Sequence, residues 1–163
     1  MKQEITITAQ DVRKACAVIS AFADTLNAPV ETAPAARAKQ GVSPYFDEAG
    51  VFLGVRVTCM GEDFIIESRD FNDGKELNWY ETMKALKEAG KATWSYRQIC
   101  LTMFYRKEID AILEEHGGQP LNNWYWTCAE CSANNAFRYY GGSGSLVSNY
   151  KYGTNNSRAL LAL

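Results

Sequence analysis

Histidine is close to absent from this chain: His116 stands alone among 163 residues. Thiols are few as well, with Cys16, Cys59, Cys100, Cys128 and Cys131 making an odd set of five. An odd count with no apolar export segment argues against a disulfide framework. Cys128 and Cys131 form a C-x-x-C, but no second pair follows, so a structural zinc site has too few ligands. A thioredoxin-type redox pair would open a helix in a βαβ unit, whereas this one lies among aromatics and turn residues. Neither a metal nor another cofactor is expected. Excess charge is also missing. A net charge of -2 gives no electrostatic drive toward nucleic acid or an anionic membrane. No stretch reaches the roughly 18 consecutive apolar residues of a spanning helix, so membrane insertion is not expected. The opening MKQEITIT carries no apolar signal segment, and export by the general route is not expected.

What is present suffices for a packed core. A composition 47% hydrophobic and 22% charged fits one domain with a small appendage. Residues 1–41 read as the appendage. A short strand at Ile5–Ile7 leads to a helix that Thr8 caps, with Asp11 as a capping-box variant. Val12, Cys16, Ile19, Phe22, Ala23 and Leu26 give that helix one apolar face. The face either docks on the rest of the chain or serves oligomerisation or attachment. Asn27 to Gly41, rich in Ala and Pro, reads as a linker.

The larger domain spans 42–163. Val51 to Thr58 alternates and is rich in β-branched residues, which predicts a strand. Phe64 to Glu67 predicts a second, after a turn at Gly61–Asp63. Asp70, Asn72, Asp73 and Gly74 lack calcium-loop spacing, so 69–75 reads as a plain turn. Asn78 with Glu81 is a capping box for a helix that buries Trp79, Met83, Leu86 and Ala89 and stops at Gly90. Ser95 caps a second helical region burying Ile99, Met103, Ile109, Ile112 and Leu113, with a break near Tyr105–Lys107 and a stop at Gly117–Gly118. Glu108, Asp110, Glu114 and Glu115 read as a solvated face. His116, in the last helical turn, reads as a helix-end residue rather than a catalyst.

The segment from Asn122 onward differs in kind. It holds seven of the ten Asn and five of the nine Tyr, but only Glu130, Arg138, Lys151 and Arg158 as charges. Asn, Tyr, Ser and Gly beside rigid Trp suit an adaptable binding surface such as an antibody paratope. They equally suit a Gly/Asn-rich turn region of a small β domain.

The ordered motifs carry a resemblance. They are Ile109–Asp110–Ala111–Ile112–Leu113, then Gly117–Gly118, then Tyr125–Trp126–Thr127–Cys128–Ala129–Glu130, then Ser132 to Phe137, then Ser157–Arg158–Ala159. Over about residues 45–163 they resemble the C-type lectin fold of the variable proteins of diversity-generating retroelements. That family reads I-N-A-x-L, a GG turn, Y-W-S-S-T-E, S-x-N-A-W and a closing V-R-P or V-R-A-V. Related domains occur in Bacteroides-type surface proteins and in formylglycine-generating enzymes. Phe137 stands where the family has Trp, Ser157 where it has Val, and Ala159–Leu160 where it has Pro-Val. The GGSGS after Tyr140 also departs. The calcium motifs of sugar-binding lectins are missing, and the catalytic cysteines of the formylglycine-generating enzymes find no assured place on Cys128 or Cys131.

The resemblance implies an α+β, C-type lectin-like fold: two main helices and a small mixed or antiparallel sheet, preceded by the N-terminal helix. It implies a non-enzymatic ligand-binding protein whose partner is a protein or cell-surface molecule. A structural virion or surface component and a formylglycine-generating-type enzyme remain the alternatives. In the family, template adenines are replaced at random, mostly in Asn codons. The positions that would vary here are Cys128, Cys131, Asn134, Arg138, Tyr140, Ser148, Asn149, Tyr150, Tyr152, Gly153 and Asn155. All hold residues reachable from an Asn codon, while the unreachable Trp124, Trp126, Glu130 and Lys151 fall elsewhere. These positions are expected to form one exposed patch. Trp126 and Phe137 are expected in the core, and Arg158 as an ion-pair partner of Glu130.

Overall fold

The computed structural model describes residues 40–161. The strand, helix and most of the linker assigned to residues 1–41 lie outside them. The described residues form an α+β fold with three helices and three small sheets.

Strands β1 (Gly41–Phe46), β2 (Phe52–Cys59) and β3 (Glu62–Glu67) run antiparallel in sequence order. The alternation at Val51 to Thr58 thus becomes β2, with Val55 and Val57 fully buried. The β2–β3 turn is tighter than expected. Met60 and Gly61 alone connect Cys59 to Glu62, with φ of 52° and 82°. Two left-handed residues match the right-handed twist of the paired strands. Strand β1 escapes the sequence pattern because Pro44 interrupts it. Its place at the sheet edge, opposite Val55, explains how the proline is accommodated.

Next come a polar turn at Phe71–Gly74, strand β4 (Leu77–Asn78) and helix α1 (Trp79–Glu88). Asn78 Oδ1 accepts the Glu81 N–H at 3.0 Å, and the Glu81 carboxylate accepts the Asn78 N–H at 3.2 Å. Helix α2 (Tyr96–Phe104) starts with the same device: Gln98 N–H to Ser95 Oγ at 3.2 Å and Ser95 N–H to Gln98 Oε1 at 2.9 Å. Helix α3 (Arg106–Glu115) follows a break at Tyr105. So there are three helices, where the resemblance implies two main ones.

Helices α1 and α3 end alike. Gly90 and Gly117 take φ of 66° and 72°. The next N–H reaches back: Lys91 to the Leu86 carbonyl at 2.8 Å and Gly118 to the Leu113 carbonyl at 2.7 Å. This double-bonded termination needs a left-handed residue, which glycine supplies without strain. The buried face of α1 differs from expectation. Thr82 and Leu86 are buried, Trp79 and Met83 only partly, and Ala89 is exposed at the helix end.

Strands β5 (Trp124–Glu130), β6 (Asn135–Tyr140) and β7 (Ser145–Tyr150) form a second antiparallel sheet. Strand β8 (Thr154–Asn155) pairs with β4, and β9 (Leu160–Leu161) closes the first sheet against β3. The core joins Val55, Val57, Phe64 and Ile66 to Ile99, Ile109 and Leu113, and reaches the second sheet through Trp94, Tyr125 and Tyr139. Trp94 meets those tyrosines edge-on, at 5.9 and 6.2 Å between ring centroids. Burial pushes the Tyr125 hydroxyl up to about 12. Gly141 lets the β6–β7 loop touch the chain before β5: a Cβ there would lie 1.6 Å from the Leu121 carbonyl oxygen.

A buried ion pair sits where the first sheet meets the chain end. The Arg158 guanidinium lies 2.7 Å from Asp70, and both side chains are withdrawn from solvent. Glu130 is therefore not the partner of Arg158. Glu130 pairs with Lys151 instead.

Candidate functional site

Register decides which side chains the second sheet displays. Trp124 lies opposite Tyr140, Trp126 opposite Arg138, and Arg138 opposite Val147. These residues share one face. Tyr125, Tyr139 and Leu146 share the other, which enters the core.

Trp126 is fully buried although it lies on the outer side, and its indole N–H donates to the Leu77 carbonyl of β4 at 3.0 Å. Beyond it the face opens. The Arg138 guanidinium lies 4.1 Å from the Trp124 ring centroid, and Trp124 stacks on Tyr140 at 4.8 Å with a 24° tilt. Arg138 Nη1 also donates to Asn155 Oδ1 at 3.1 Å. A guanidinium placed over an indole is held by attraction to the ring face.

A second aromatic group lies around the 150–153 turn. Tyr80, at the start of α1, is 5.3 Å from Tyr152, and Tyr152 is 5.3 Å from Tyr150. All three are open to solvent, at 42%, 62% and 53% exposure. Lys151 anchors this turn from beneath. It is 2% exposed, pairs with Glu130, and donates to the Ala133 carbonyl at 2.9 Å. Its ammonium sits 4.7 Å from the Trp79 ring centroid. Its backbone accepts from Trp79 and donates to Asn134, both at 2.9 Å. One lysine thus ties the start of α1, the β5–β6 loop and the 150–153 turn together.

The residues expected to vary fall into three settings. Cys128, Cys131, Asn134, Ser148, Tyr150 and Tyr152 are exposed. Arg138, Tyr140, Asn149 and Gly153 are partly covered. Asn155 is buried, at 2%, and so departs from the exposed patch expected of it. Its β8 strand pairs with β4, and the side chain turns inward to meet Arg138. Phe137 departs the other way. It is only partly buried and packs on the exposed Tyr96 at 5.3 Å, while Tyr139 on the same face enters the core and Ala136 is buried on the opposite face.

Cys128 and Cys131 both end as free, exposed thiols beside the β5–β6 loop. Desolvation nevertheless pushes the Cys128 thiol above its usual range. A raised thiol stays protonated at neutral pH and is a poor nucleophile. Among the described residues, no three His, Cys, Asp or Glu side chains gather as metal ligands would. No described helix is long and apolar enough to cross a membrane.

Tyr80 and Lys151 were missed by sequence reasoning. Tyr80 lies outside the Asn/Tyr-rich segment and reaches the surface group only through the fold. Lys151 had a signal: it and Glu130 are two of the few charges in that segment, and such a pair in charge-poor surroundings tends to be partnered. Comparison of the chain with protein-family models and with curated proteins finds no match.

Proposed function

We propose that this chain is a ligand-binding protein of the retroelement-diversified, C-type lectin-like kind, and that its partner is a protein or a cell-surface molecule. The carrying observation is a division of labour within one short segment. Trp126, Tyr125, Tyr139, Lys151 and Arg158 are buried and hold the scaffold. Between them, Cys128, Cys131, Asn134, Ser148, Tyr150 and Tyr152 stand exposed on loops and on a sheet margin. Side chains so placed can be exchanged at little cost to stability. Exposed Tyr and an oriented Arg are common carriers of binding energy. The raised Cys128 thiol lends no support to the enzyme alternative.

The test is a displayed library of the chain with those six exposed positions randomised, panned on folded protein and cell-surface targets. The expected result is a set of folded binders whose targets change with the randomised residues. Loss of folding across the library, or binders indifferent to these positions, refutes the reading. The encoding DNA offers an independent check: a near-repeat of the 3′ end beside a reverse transcriptase gene is expected.

A further inference from the structure

Among the described residues no strand pairs with the outer side of β7, so the sheet β5–β6–β7 ends there in an open edge, and its bonding phase can be read from the surrounding hydrogen bonds. Lys151 donates its N–H to the Asn134 carbonyl at 2.9 Å, and Gly144 donates to Tyr140 at 2.8 Å. Carbonyls of even-numbered residues at β6 therefore aim toward β7. Thr127 Oγ donates to the Phe137 carbonyl at 2.8 Å, and the Cys131 N–H to Asn135 at 3.1 Å. Odd-numbered ones aim toward β5. With Asn135 opposite Tyr150 and Ala136 opposite Asn149, the β7 residues bonded to β6 are Ser145, Val147 and Asn149. Leu146, Ser148 and Tyr150 turn their N–H and C=O groups outward. Among the described residues, only the Tyr150 carbonyl of these finds a backbone partner, the Gly153 N–H at 2.9 Å.

Nothing in β7 guards that edge. Its sequence SLVSNY has no charge and no proline, and its ladder with β6 runs without a bulge. Open edges are ordinarily blunted by one of these devices, because they invite another strand.

We propose that β7 takes up an extended, uncharged segment of a partner protein by strand addition. This rests on the ligand-binding reading and names the form in which the ligand is held. Charge narrows the occupant: β7 offers no side chain to compensate a charge brought against it. Area argues against a second copy of this chain. A six-residue edge is about 20 Å long and about 10 Å tall, on the order of 200 Å² per partner, where a stable dimer needs about 800 Å². A flexible segment has no such requirement, since it can also fold over Phe137 and Tyr150 on one face and Val147 on the other. Continuity with the candidate surface completes the case. Ser148 and Tyr150 are both expected to vary, and both turn a main-chain N–H outward. Main-chain bonds survive every substitution there except proline, so such an edge keeps a base of affinity while side chains retune specificity.

The experiment pans linear random peptides, displayed on phage, against the whole chain, then synthesises the winners with capped ends. Uncharged peptides are expected, and on binding they should slow hydrogen exchange at the Leu146, Ser148 and Tyr150 amides. Ser148→Pro deletes one outward N–H and no bond to β6; it should weaken binding roughly tenfold or more, whereas Ser148→Ala should not. If Ser148→Pro fails to melt like the parent chain, N-methylation of alternate residues of the peptide asks the same question from the other side. Peptides that bind with those three amides unprotected, or equally well to Ser148→Pro, overturn strand addition and leave ligand binding by side chains standing. No selected peptide at all also overturns it. Ligand binding itself is judged separately, by panning on folded targets.

Discussion

Removing the charge of Arg158 should cost more than any surface change in the molecule. Its guanidinium is fully buried. Nε donates to Asp70 Oδ1, Nη1 to the Glu67 carbonyl and Nη2 to the Gln119 carbonyl, each at 2.9 Å. The other Asp70 oxygen accepts from Gln119 Nε2 at 3.0 Å and Asn123 Nδ2 at 2.8 Å. Arg158→Met keeps most of the volume but strands a buried carboxylate on two neutral amides and frees two carbonyls. Breaking a buried pair from one side costs about 3–5 kcal/mol. Against a total of about 5–15 kcal/mol for a domain, that is about a fifth of the stability or more. Asp70→Leu should cost a similar amount, by stranding the guanidinium. The double variant should cost clearly less than the sum, because no orphan charge remains. Urea unfolding at neutral pH, read by tryptophan fluorescence and far-UV circular dichroism, measures all three. Single variants that each lose less than about 1 kcal/mol, or a strictly additive double variant, would refute the view that this pair is a buried, mutually dependent unit.

Three further outcomes are expected. Trp126→Ala should destabilise by about 3–5 kcal/mol as a large core truncation, while Tyr150→Ser and Tyr152→Ser should stay within about 0.5 kcal/mol. Tyr140→Ser should fall between, at about 0.5–1.5 kcal/mol, because its ring stacks on Trp124; thermal melting of the four variants ranks them. Gly141→Ala should cost about 1–3 kcal/mol or more, since the new Cβ meets the Leu121 carbonyl backbone; a melting point within error of the parent would show that the loop yields freely. Carbon-13 titration should separate two aspartates. Asp63 is held below the usual carboxylate range by its hydrogen bonds from Arg56, so its stabilising contribution is present at higher pH and fades as pH falls through that lowered value. Asp110 is pushed up by burial, against the opposing Leu121 N–H and Arg106, so its contribution is present below the ordinary carboxylate value and is lost as pH rises through the raised one.

The local signals in this chain were legible because their physics is local. The Asn78–Glu81 capping box, the Ser95 cap, the glycine stops at Gly90 and Gly117 and the break at Tyr105 each depend on residues a few positions apart. Strand β2 showed in its alternation, but β1 did not, since Pro44 is tolerated only by virtue of an edge position that topology decides. Partnerships across the chain were the least legible. Glu130 and Arg158 are near in sequence and opposite in charge, yet Arg158 reaches back 88 residues to Asp70. Exposed segments of the Asn/Tyr-rich region were visible as composition, while the contribution of Tyr80 needed α1 to be laid beside the 150–153 turn.

Asn155 shows most sharply why composition cannot separate scaffold from surface. It shares residue type and neighbourhood with exposed positions such as Asn134, but its side chain is buried against the Arg138 guanidinium. A buried acceptor facing a cation cannot be exchanged freely: an apolar replacement strands a donor, and a basic one places like charges together. Tyr152 is 62% exposed and, among the described residues, has ring contacts to Tyr80 and Tyr150 and no side-chain hydrogen bond. Tolerance along this segment should therefore follow burial and hydrogen-bond duty rather than residue type. Asn155 should accept Asp or Ser, which still accept a hydrogen bond, and reject Leu or Arg unless Arg138 changes with it. Position 152 should accept nearly any side chain. A deep substitution scan of residues 128–155 sorted for folding would show the two profiles; equal tolerance at 152 and 155 would mean that the Arg138–Asn155 bond contributes nothing to the fold.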